Sequence, residues 1–299
     1  MINGIINVYK QKGFTSHDVV AKLRGILHQK RIGHTGTLDP EAEGVLPVCL
    51  GNATKLCDML ADKSKTYETV LKLGIETDTQ DLTGTLFMQK EVQVDEEHIR
   101  SVIESFVGEY AQIPPMYSAK KINGKKLYEL AREGKVVERK PSQVQIHSIE
   151  IMKIDMDEKE VTMRVSCSKG TYIRTLCHDI GQQLGCGGCM KQLLRTRVSQ
   201  FCLEDSLKLD EIEQLQKEER LDLHILKPDM VFSENCAITV VENADRLLYN
   251  GNAISKKMVA ECSEGDSSRF RVYDSKHAFV GIYVWNEEKG QYRPYKMFL

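Results

Sequence analysis

The spacing of apolar residues changes repeatedly along the chain and predicts strands and helices in an irregular order. Apolar positions three and four apart predict a helix with Ser16 as its N-cap, and further helices over 95–109, 125–133 and 172–184. Apolar runs and two-residue alternation predict strands over 2–8, 45–50, 66–73, 144–151 and 161–165. Because the two kinds of element do not alternate regularly, the pattern favours an α+β fold with a mixed sheet over a doubly wound parallel sheet.

The last part of the chain has a different pattern. A charged, helix-prone stretch over 203–235 precedes short apolar segments that are separated by glycines. This arrangement is typical of a small β-rich module. We therefore predict two domains, over 1–233 and 234–299, with strands in the second at 238–241, 269–273, 278–285 and 292–298.

Length and composition argue against several classes of protein. The 299 residues contain no apolar run approaching the ~18–20 residues of a membrane span, and the N-terminus lacks a basic-then-apolar signal peptide. The nine cysteines are odd in number and show no framework pattern, which fits a reducing compartment better than a disulfide scaffold. We therefore expect a cytoplasmic protein.

The net charge of −2 conceals two basic segments. Residues 1–34 carry six Lys or Arg against one Asp, and residues 119–140 carry eight against three Glu. Such segments can neutralise phosphates, although an ordinary solvated surface explains either of them equally well when it is taken alone. The candidate phosphate contacts in the second segment are Lys120, Lys121, Lys125 and Lys126.

The densest group of functional candidates is the string Gly33-His34-Thr35-Gly36-Thr37-Leu38-Asp39-Pro40. Glycine-rich polar loops usually lie on the surface and often carry function. Asp39 supplies a carboxylate, and Pro40 restricts the backbone beside it. Since Asp-Pro alone is only a turn signal, the interpretation depends on the whole string.

This string resembles the signature of the TruB class of tRNA pseudouridine synthases. The resemblance covers roughly residues 1–200 and continues through five further motifs in the order of the family. These motifs are Leu50-Gly51-Asn52-Ala53-Thr54-Lys55, Lys65-Thr66-Tyr67, the 74–81 segment with Thr77-Asp78-Thr79, Pro114-Pro115-Met116-Tyr117-Ser118-Ala119-Lys120, and Ser168-Lys169-Gly170-Thr171-Tyr172-Ile173-Arg174-Thr175-Leu176.

The resemblance implies a pseudouridine synthase fold, in which a mixed, largely antiparallel sheet is flanked by helices and loops, with a C-terminal PUA-like RNA-binding module. The implied reaction isomerises the uridine at position 55 in the TΨC loop of tRNA. It proceeds by flipping the base, breaking the N-glycosidic bond with the help of an aspartate, and rejoining the base through C5. No cofactor or metal is expected. The expected partner is tRNA, and the chain is expected to act as a monomer without an obligate protein partner or a membrane.

The resemblance also implies roles for individual residues. Asp39 corresponds to the catalytic aspartate, Arg174 to the arginine that pairs with it, and Tyr67 to the active-site tyrosine that stacks on the base. The sequence leaves open whether Asp39 attacks C1′ of the sugar or C6 of the base, and which group removes the C5 proton. The implied RNA contacts are His34, Lys10 and Arg195, and the implied pocket residues are Gly36, Leu38, Tyr172 and Leu193.

The chain departs from the family pattern at three positions, Gln11, Leu194 and Ser199. The last of these replaces a glycine of the family motif. The departures put the packing of the pocket and one RNA contact in question, but they leave the three implied catalytic residues unchanged.

Two groups of residues could suggest metal binding. Cys186 and Cys189 have the spacing of half a zinc site, but no second pair of ligands follows, so we expect no zinc there. Glu76, Asp78 and Asp81 belong to the family motif, and a hydrogen-bonding role in a loop is the better interpretation.

Two other classes of function explain parts of the sequence. A non-catalytic RNA-binding protein or RNA chaperone would account for the basic segments but not for Asp39, Tyr67 and Arg174 together. A glycoside hydrolase would require two carboxylates at a suitable separation. Glu41 and Glu43 lie near Asp39, but no feature marks either of them as a general acid.

Overall fold

The computed structural model describes residues 1–122 and 124–299. The strands of the first part are β1 (Gly4–Lys10), β2 (Ile32–His34), β3 (Glu43–Leu50), β4 (Lys65–Leu73), β5 (Ile75–Thr77), β6 (Leu86–Gln89), β7 (Gly108–Gln112), β8 (Lys121–Ile122), β9 (Lys125–Lys126), β10 (Ser142–Asp155), β11 (Glu160–Cys167), β12 (Gly188–Val198) and β13 (Phe201–Cys202). The α-helices are α1 (Ser16–Ile26), α2 (Cys57–Ala61), α3 (Glu96–Ser105), α4 (Leu127–Arg132), α5 (Ile173–Gln183), α6 (Leu209–Lys217) and α7 (Asp245–Tyr249). Short 3-10 helices cover Gly51–Leu56, Leu221–His224, Pro228–Phe232, Glu242–Ala244 and Lys256–Met258.

One mixed sheet dominates the first part of the chain. Its strand order is β1-β3-β12-β4-β11-β10-β7, with β2 paired to β3 and β13 paired to β12. β3 and β12 are parallel, and the other pairs of this sheet are antiparallel. The predicted mixed, largely antiparallel sheet is therefore confirmed.

β4 shows how side-chain alternation positions one face of this sheet. Every second residue, from Lys65 through Tyr67 and Thr69 to Leu73, is buried, and the residues between them are partly exposed. Successive side chains of a strand point to opposite faces, so Lys65 and Tyr67 lie on the same face. The apolar residues of this face share one core with α3 and α5.

α5 lies in direct contact with the sheet. A Cβ atom added to Gly181 would come within 2.1 Å of the backbone nitrogen of Gly188, so the helix backbone touches the first residue of β12. The helix begins at Ile173, after the N-cap residue Tyr172. The contact lies near the C-terminal end of α5, and Arg174 lies in the first turn of the same helix.

Two predicted helix boundaries are wrong. Thr15, and not Ser16, is the N-cap of α1, because its Oγ1 accepts a hydrogen bond from the backbone nitrogen of Asp18 at 3.0 Å while the Asp18 carboxylate accepts one from the Thr15 nitrogen at 2.8 Å. The helix predicted over 95–109 ends at Ser105. Residues Gly108–Gln112 instead pair with β10, since the edge of the sheet offers them backbone partners.

Three other strand and helix assignments also change. The first strand is shifted from 2–8 to Gly4–Lys10, and the helix over 125–133 shortens to Leu127–Arg132 because Lys125 and Lys126 form β9. The sequence pattern did not predict β12, which lies between β3 and β4 near the centre of the sheet. Its polar and apolar residues do not alternate, so its position depends on strand pairing.

The last part of the chain forms a second sheet. Its strands are β14 (Asn235–Val240), β15 (Ile254–Ser255), β16 (Val259–Cys262), β17 (Asp266–Tyr273), β18 (Phe279–Asn286) and β19 (Gln291–Met297), in the order β15-β19-β18-β17-β14-β16. The four predicted segments overlap β14, β17, β18 and β19. An apolar cluster that includes Ile5, Val45, Phe232, Ile282 and Phe298 joins this sheet to the first one. In the described parts of the chain, no helix is long and apolar enough to cross a membrane.

Candidate active site

The loop between β2 and β3 presents Asp39. Its backbone is held from α1, where the Ser16 hydroxyl accepts a hydrogen bond from the Leu38 nitrogen at 2.9 Å. It is also held from β1, where the Lys10 ammonium donates to the Pro40 carbonyl at 3.0 Å. The Leu38 side chain is buried, with 4% exposed, and anchors the loop in the apolar core. The residues on both sides of Asp39 are therefore fixed.

Arg174 binds the Asp39 carboxylate with two donors. Its Nε lies 2.9 Å from Asp39 Oδ2, and a terminal guanidinium nitrogen donates to Oδ1 at 3.2 Å. Such a planar fork fixes the orientation of a carboxylate as well as its charge. The Arg174 side chain is 5% exposed, whereas that of Asp39 is 39% exposed. The carboxylate is thus held from the protein side and open on the other.

Two further Arg174 donors are also occupied. They bond to the backbone carbonyls of Thr79 at 3.1 Å and Tyr117 at 2.8 Å. Asp81 Oδ2 lies 3.8 Å from Nε, so a second carboxylate flanks the guanidinium. Asp81 in turn accepts hydrogen bonds from the hydroxyls of Thr79 and Thr83. These contacts fix the guanidinium in place.

A cavity of about 250 Å³ opens beside Asp39. Cavities of about 150 Å³ hold a benzene ring, so this space accommodates a pyrimidine base. The structure brings eight of the predicted site residues to its wall, although they come from distant parts of the chain. They are Gly36, Leu38, Asp39, Tyr67, Tyr172, Leu193, Arg174 and Arg195.

A larger cavity of about 630 Å³ also reaches Asp39. Besides Asp39, its wall contains four carboxylates and only two ammonium groups, from Glu41, Glu43, Glu68 and Asp81 and from Lys12 and Lys191. Carboxylates repel the phosphates of a nucleic acid. The smaller cavity is therefore the better place for a nucleotide.

Burial raises the pKa of Tyr67 to about 12, and the neighbouring Arg195 guanidinium opposes this effect. Burial likewise lowers the pKa of Lys65 to about 8, with a further contribution from the charge of Arg195.

The sequence reasoning missed Lys65 and Ser118, which also line the cavity. The position of Lys65, two residues before Tyr67 on an alternating strand, could have revealed it. The Ser118 hydroxyl is buried without a hydrogen-bond partner in the described structure. Ser118 lies in the 114–120 motif, which is the signal that could have revealed it.

Lys10 and Arg195 are placed differently from the predicted RNA contacts. They are only 0% and 1% exposed, so neither side chain is accessible to a phosphate in this structure. The Lys10 ammonium donates to the carbonyls of Gln11, Phe14 and Pro40 at 3.0, 2.6 and 3.0 Å. Backbone carbonyls also accept two hydrogen bonds from Arg195, because the loop folds over β1 and β12. Lys10 thus holds the loop that carries Asp39.

We expect Lys10→Met to reduce stability and activity without changing the salt dependence of RNA binding. The three carbonyls would lose their donor, which costs about 1–3 kcal/mol for a buried group left unsatisfied. Loss of a phosphate contact would instead lower the slope of log K against log salt by about one. Thermal unfolding and filter binding at several salt concentrations separate the two roles. Lys12→Met is the matched control, because Lys12 is exposed and its ammonium pairs with Glu41 at 3.2 Å. A reduced slope for Lys10→Met would restore the original prediction.

His34 lies beside the cavity and not in its wall. Its ring packs edge-on against His17 with 5.3 Å between centroids, and its Nδ1 accepts a hydrogen bond from the Gly36 nitrogen at 3.3 Å. Burial lowers the pKa of His34, and the charges of His17 and Arg195 lower it further. A histidine with a pKa below its ordinary value of 6.5 is neutral at pH 7. Its predicted contact with RNA would therefore use stacking or a neutral hydrogen bond.

The predicted lysine contacts surround the hairpin formed by β8 and β9. Lys121 and Lys125 are exposed, and Lys126 donates to the Tyr128 hydroxyl at 3.2 Å. Lys120 donates to the Ser142 hydroxyl at 2.5 Å. Lys125 also lies 3.6 Å from Glu133, so its charge is partly compensated.

The two groups that could suggest a metal make other contacts. Cys186 and Cys189 are buried free cysteines. Glu76 accepts a hydrogen bond from Gln182 at 2.5 Å, and Asp78 accepts one from the Thr85 nitrogen at 2.7 Å. The acidic residues thus organise their loop by hydrogen bonds.

The departures from the family pattern have visible consequences. Ser199 adopts φ +52°, in the left-handed region that favours glycine, so its position explains the glycine of the family motif. Leu194 lies opposite Glu43 in the parallel contact between β12 and β3. Neither of them lines the smaller cavity.

Comparison with known proteins gives a consistent family. Residues 24–173 match a family model described as the TruB family pseudouridylate synthase N-terminal domain, and residues 174–233 match the tRNA pseudouridylate synthase B C-terminal domain. The chain is 55% identical to tRNA pseudouridine synthase B of Lachnoclostridium phytofermentans over 100% of both chains. It is 43% identical to the protein of that name from Clostridium perfringens, over 97% of each chain. Among solved structures, a Cbf5–Nop10–Gar1 complex contains a chain with a TM-score of 0.74 and 26% identity, and the match covers 99% of this chain and 85% of that one.

Proposed function

Since this chain belongs to the TruB family of tRNA pseudouridine synthases, we propose that it isomerises the uridine at position 55 in the TΨC loop of tRNA. The observation that carries this proposal is the convergence of Asp39, Tyr67 and Arg174 on one cavity of nucleobase size. A non-catalytic RNA-binding protein would not require an arginine-clamped carboxylate beside such a cavity. The proposal specifies both the target nucleotide and the residues that act on it.

Asp39 is the group that initiates cleavage of the N1–C1′ bond. Its carboxylate is open toward the cavity and paired with Arg174, and a carboxylate can attack or stabilise a cationic centre. Attack at C1′ of the sugar and attack at C6 of the base both fit this position. After the base has turned, a bond between C5 and C1′ replaces the original bond, and C5 loses its hydrogen.

Tyr67 offers the base a flat surface and a phenol oxygen. Stacking of a base on an aromatic ring contributes about 1–3 kcal/mol. Tyr67 and Leu193 both line the cavity, so the base would lie between an aromatic and an apolar side chain. We assign removal of the C5 proton to this phenol oxygen, because the ring that carries it is the one proposed to stack on the base.

Binding of tRNA requires the target uridine to leave its stack, at a cost of a few kcal/mol. We propose that His34 occupies the space that the flipped base leaves, and that the lysines of the β8–β9 hairpin contact phosphates of the tRNA.

The sheet of residues 234–299 would serve as a PUA-like RNA-binding module, separate from the catalytic domain of residues 1–233. Because one chain supplies the three catalytic side chains, we propose a monomer without an obligate protein partner. A tRNA substrate and nine free cysteines support a cytoplasmic location.

Release of tritium from tRNA labelled at uridine C5 tests the proposed reaction. We expect about one tritium released per tRNA from the normal transcript. A transcript with cytidine at position 55 should release none. Release that is unaffected by the change at position 55 would place the target elsewhere in tRNA. Binding of tRNA without release of tritium would indicate a non-catalytic RNA-binding protein or RNA chaperone.

A further inference from the structure

Arg195 is a buried cation without an anionic partner. Its side chain is 1% exposed, and its Nε donates to the Val45 carbonyl at 2.7 Å while a terminal nitrogen donates to the Gly36 carbonyl at 3.3 Å. Within residues 1–122 and 124–299, no carboxylate lies within 4.0 Å of this guanidinium, whereas Arg174 has Asp39 at 2.9 Å. Buried charges are normally paired, because removing an ion from water is costly. An unpaired one at a cavity wall requires an explanation.

Tyr67 lies directly opposite Arg195. The two residues are register partners in the antiparallel pair of β4 and β12, and both line the cavity. Side chains at such positions have Cβ atoms about 4.5–5.5 Å apart. Tyr67 as a whole residue is 7% exposed. Loss of its phenol proton would create an anion beside the Arg195 guanidinium. The missing counter-charge of Arg195 can therefore form on Tyr67.

The other charged and titratable groups around Tyr67 do not provide this interaction. Lys65 lies on the same strand, but its ammonium donates to the carbonyls of Ala61 at 2.8 Å and Lys63 at 2.7 Å. Asp39, from the loop, carries the wrong sign, and Cys167 of β11 and Tyr172 before α5 are uncharged at neutral pH. Burial raises the pKa of Tyr67, and Arg195 is the first group that opposes it.

We infer that Arg195 is a positioning residue whose charge holds the Tyr67 phenol oxygen in readiness for the C5 proton. The inference rests on the proposed function. The Tyr67 phenol first gives its own proton to water. The C5–H bond then breaks, and its proton passes to the phenolate oxygen. The electron pair reforms the C5–C6 double bond of the rejoined base, and N1 takes up a proton from water. The step requires no oxidant or reductant. Arg195 acts through Tyr67 and not on the base.

Single-turnover conversion of tRNA with deuterium at uridine C5 tests this role. Arg195→Gln keeps a donor for the carbonyls but removes the charge. We expect its rate to fall at least roughly tenfold, since each unit of pKa change at Tyr67 alters the phenolate fraction tenfold. We also expect the isotope ratio, the rate with hydrogen at uridine C5 divided by the rate with deuterium there, to rise above that of the unchanged protein. Proton removal then limits the reaction. Arg195→Lys keeps the charge but not the planar fork of donors. Its rate and isotope ratio should lie between those of the unchanged protein and those of Arg195→Gln.

Thr196→Val is the matched control on the same strand. The Thr196 hydroxyl donates to the Thr66 carbonyl at 3.3 Å, so this change disturbs the same pair of strands without touching the charge. We expect its isotope ratio to equal that of the unchanged protein. An Arg195→Gln variant that is slow, with an unchanged isotope ratio and no recovery in Arg195→Lys, would show a purely structural role and overturn the inference.

Arg195→Gln could fail to fold, and thermal unfolding would reveal this. The test then uses Arg195→Lys with a more acidic fluorinated tyrosine at position 67. Recovery of the rate and of the isotope ratio supports the inference, and lack of recovery overturns it. The two proposals fail differently. An unchanged protein that makes no pseudouridine contradicts the proposed function, whereas an active protein with a normal Arg195→Gln variant contradicts only the role of Arg195.

Discussion

Replacing Asp39 by Asn is expected to abolish tritium release while leaving tRNA binding largely intact. The amide has nearly the same shape but cannot attack as a carboxylate, and removal of a nucleophile lowers enzyme rates by about 10⁴-fold or more. Asn can still accept a hydrogen bond from Arg174, so the clamp that holds this side chain at 2.9 Å is only weakened. Single-turnover tritium release and filter binding of the same tRNA measure the two properties separately.

Glu41→Gln is the matched control for this experiment. Glu41 lies two residues from Asp39, and its exposed carboxylate pairs with Lys12 at 3.2 Å. The same chemical change should leave the rate unchanged, since surface ion pairs contribute little. A large loss of activity in Glu41→Gln would point to two cooperating carboxylates, as in a glycoside hydrolase. A fully active Asp39→Asn protein would remove Asp39 from the mechanism.

Replacing Arg174 by Lys is expected to give the second largest effect, a fall in rate of about 10²–10³-fold, similar to the loss of one preorganised donor in other enzymes. Lysine keeps the charge but cannot donate to both oxygens of Asp39 and also to the Thr79 and Tyr117 carbonyls. The carboxylate would lose its fixed orientation. Single-turnover rates at saturating enzyme measure this loss apart from any change in binding.

Arg164→Lys provides a control of the same chemistry outside the cavity. Arg164 Nε and one terminal nitrogen both donate to Glu68 Oε1, at 3.1 and 2.8 Å, and the Arg164 side chain is 42% exposed. Its replacement should not alter the rate. Equal losses in both variants would indicate a general effect on the sheet and would count against a special role of Arg174.

Local sequence patterns were sufficient for the elements that depend on neighbouring residues. The alternation of β4 placed Tyr67 on a buried face, and the helical spacing after Tyr172 placed Arg174 at the start of α5. The glycine and proline residues around Asp39 indicated a loop. These features follow from side-chain periodicity and backbone preferences, which act over a few residues. The resemblance of the motifs then identified the side chains to compare.

Long-range pairing produced the features that the pattern did not contain. Asp39 and Arg174 are 135 residues apart, and their contact depends on α5 packing against β12. β12 itself was missed, because a strand with neighbours on both sides obtains its stability from them and needs no alternation. Lys10 and Arg195 look like surface cations in the sequence, yet both lie in the interior, where backbone carbonyls brought close by the fold accept their hydrogen bonds. Local motifs thus indicate which side chains are the reacting groups. Their distances, burial and electrostatic environment arise from strand register and helix packing, because these place residues together that are remote along the chain.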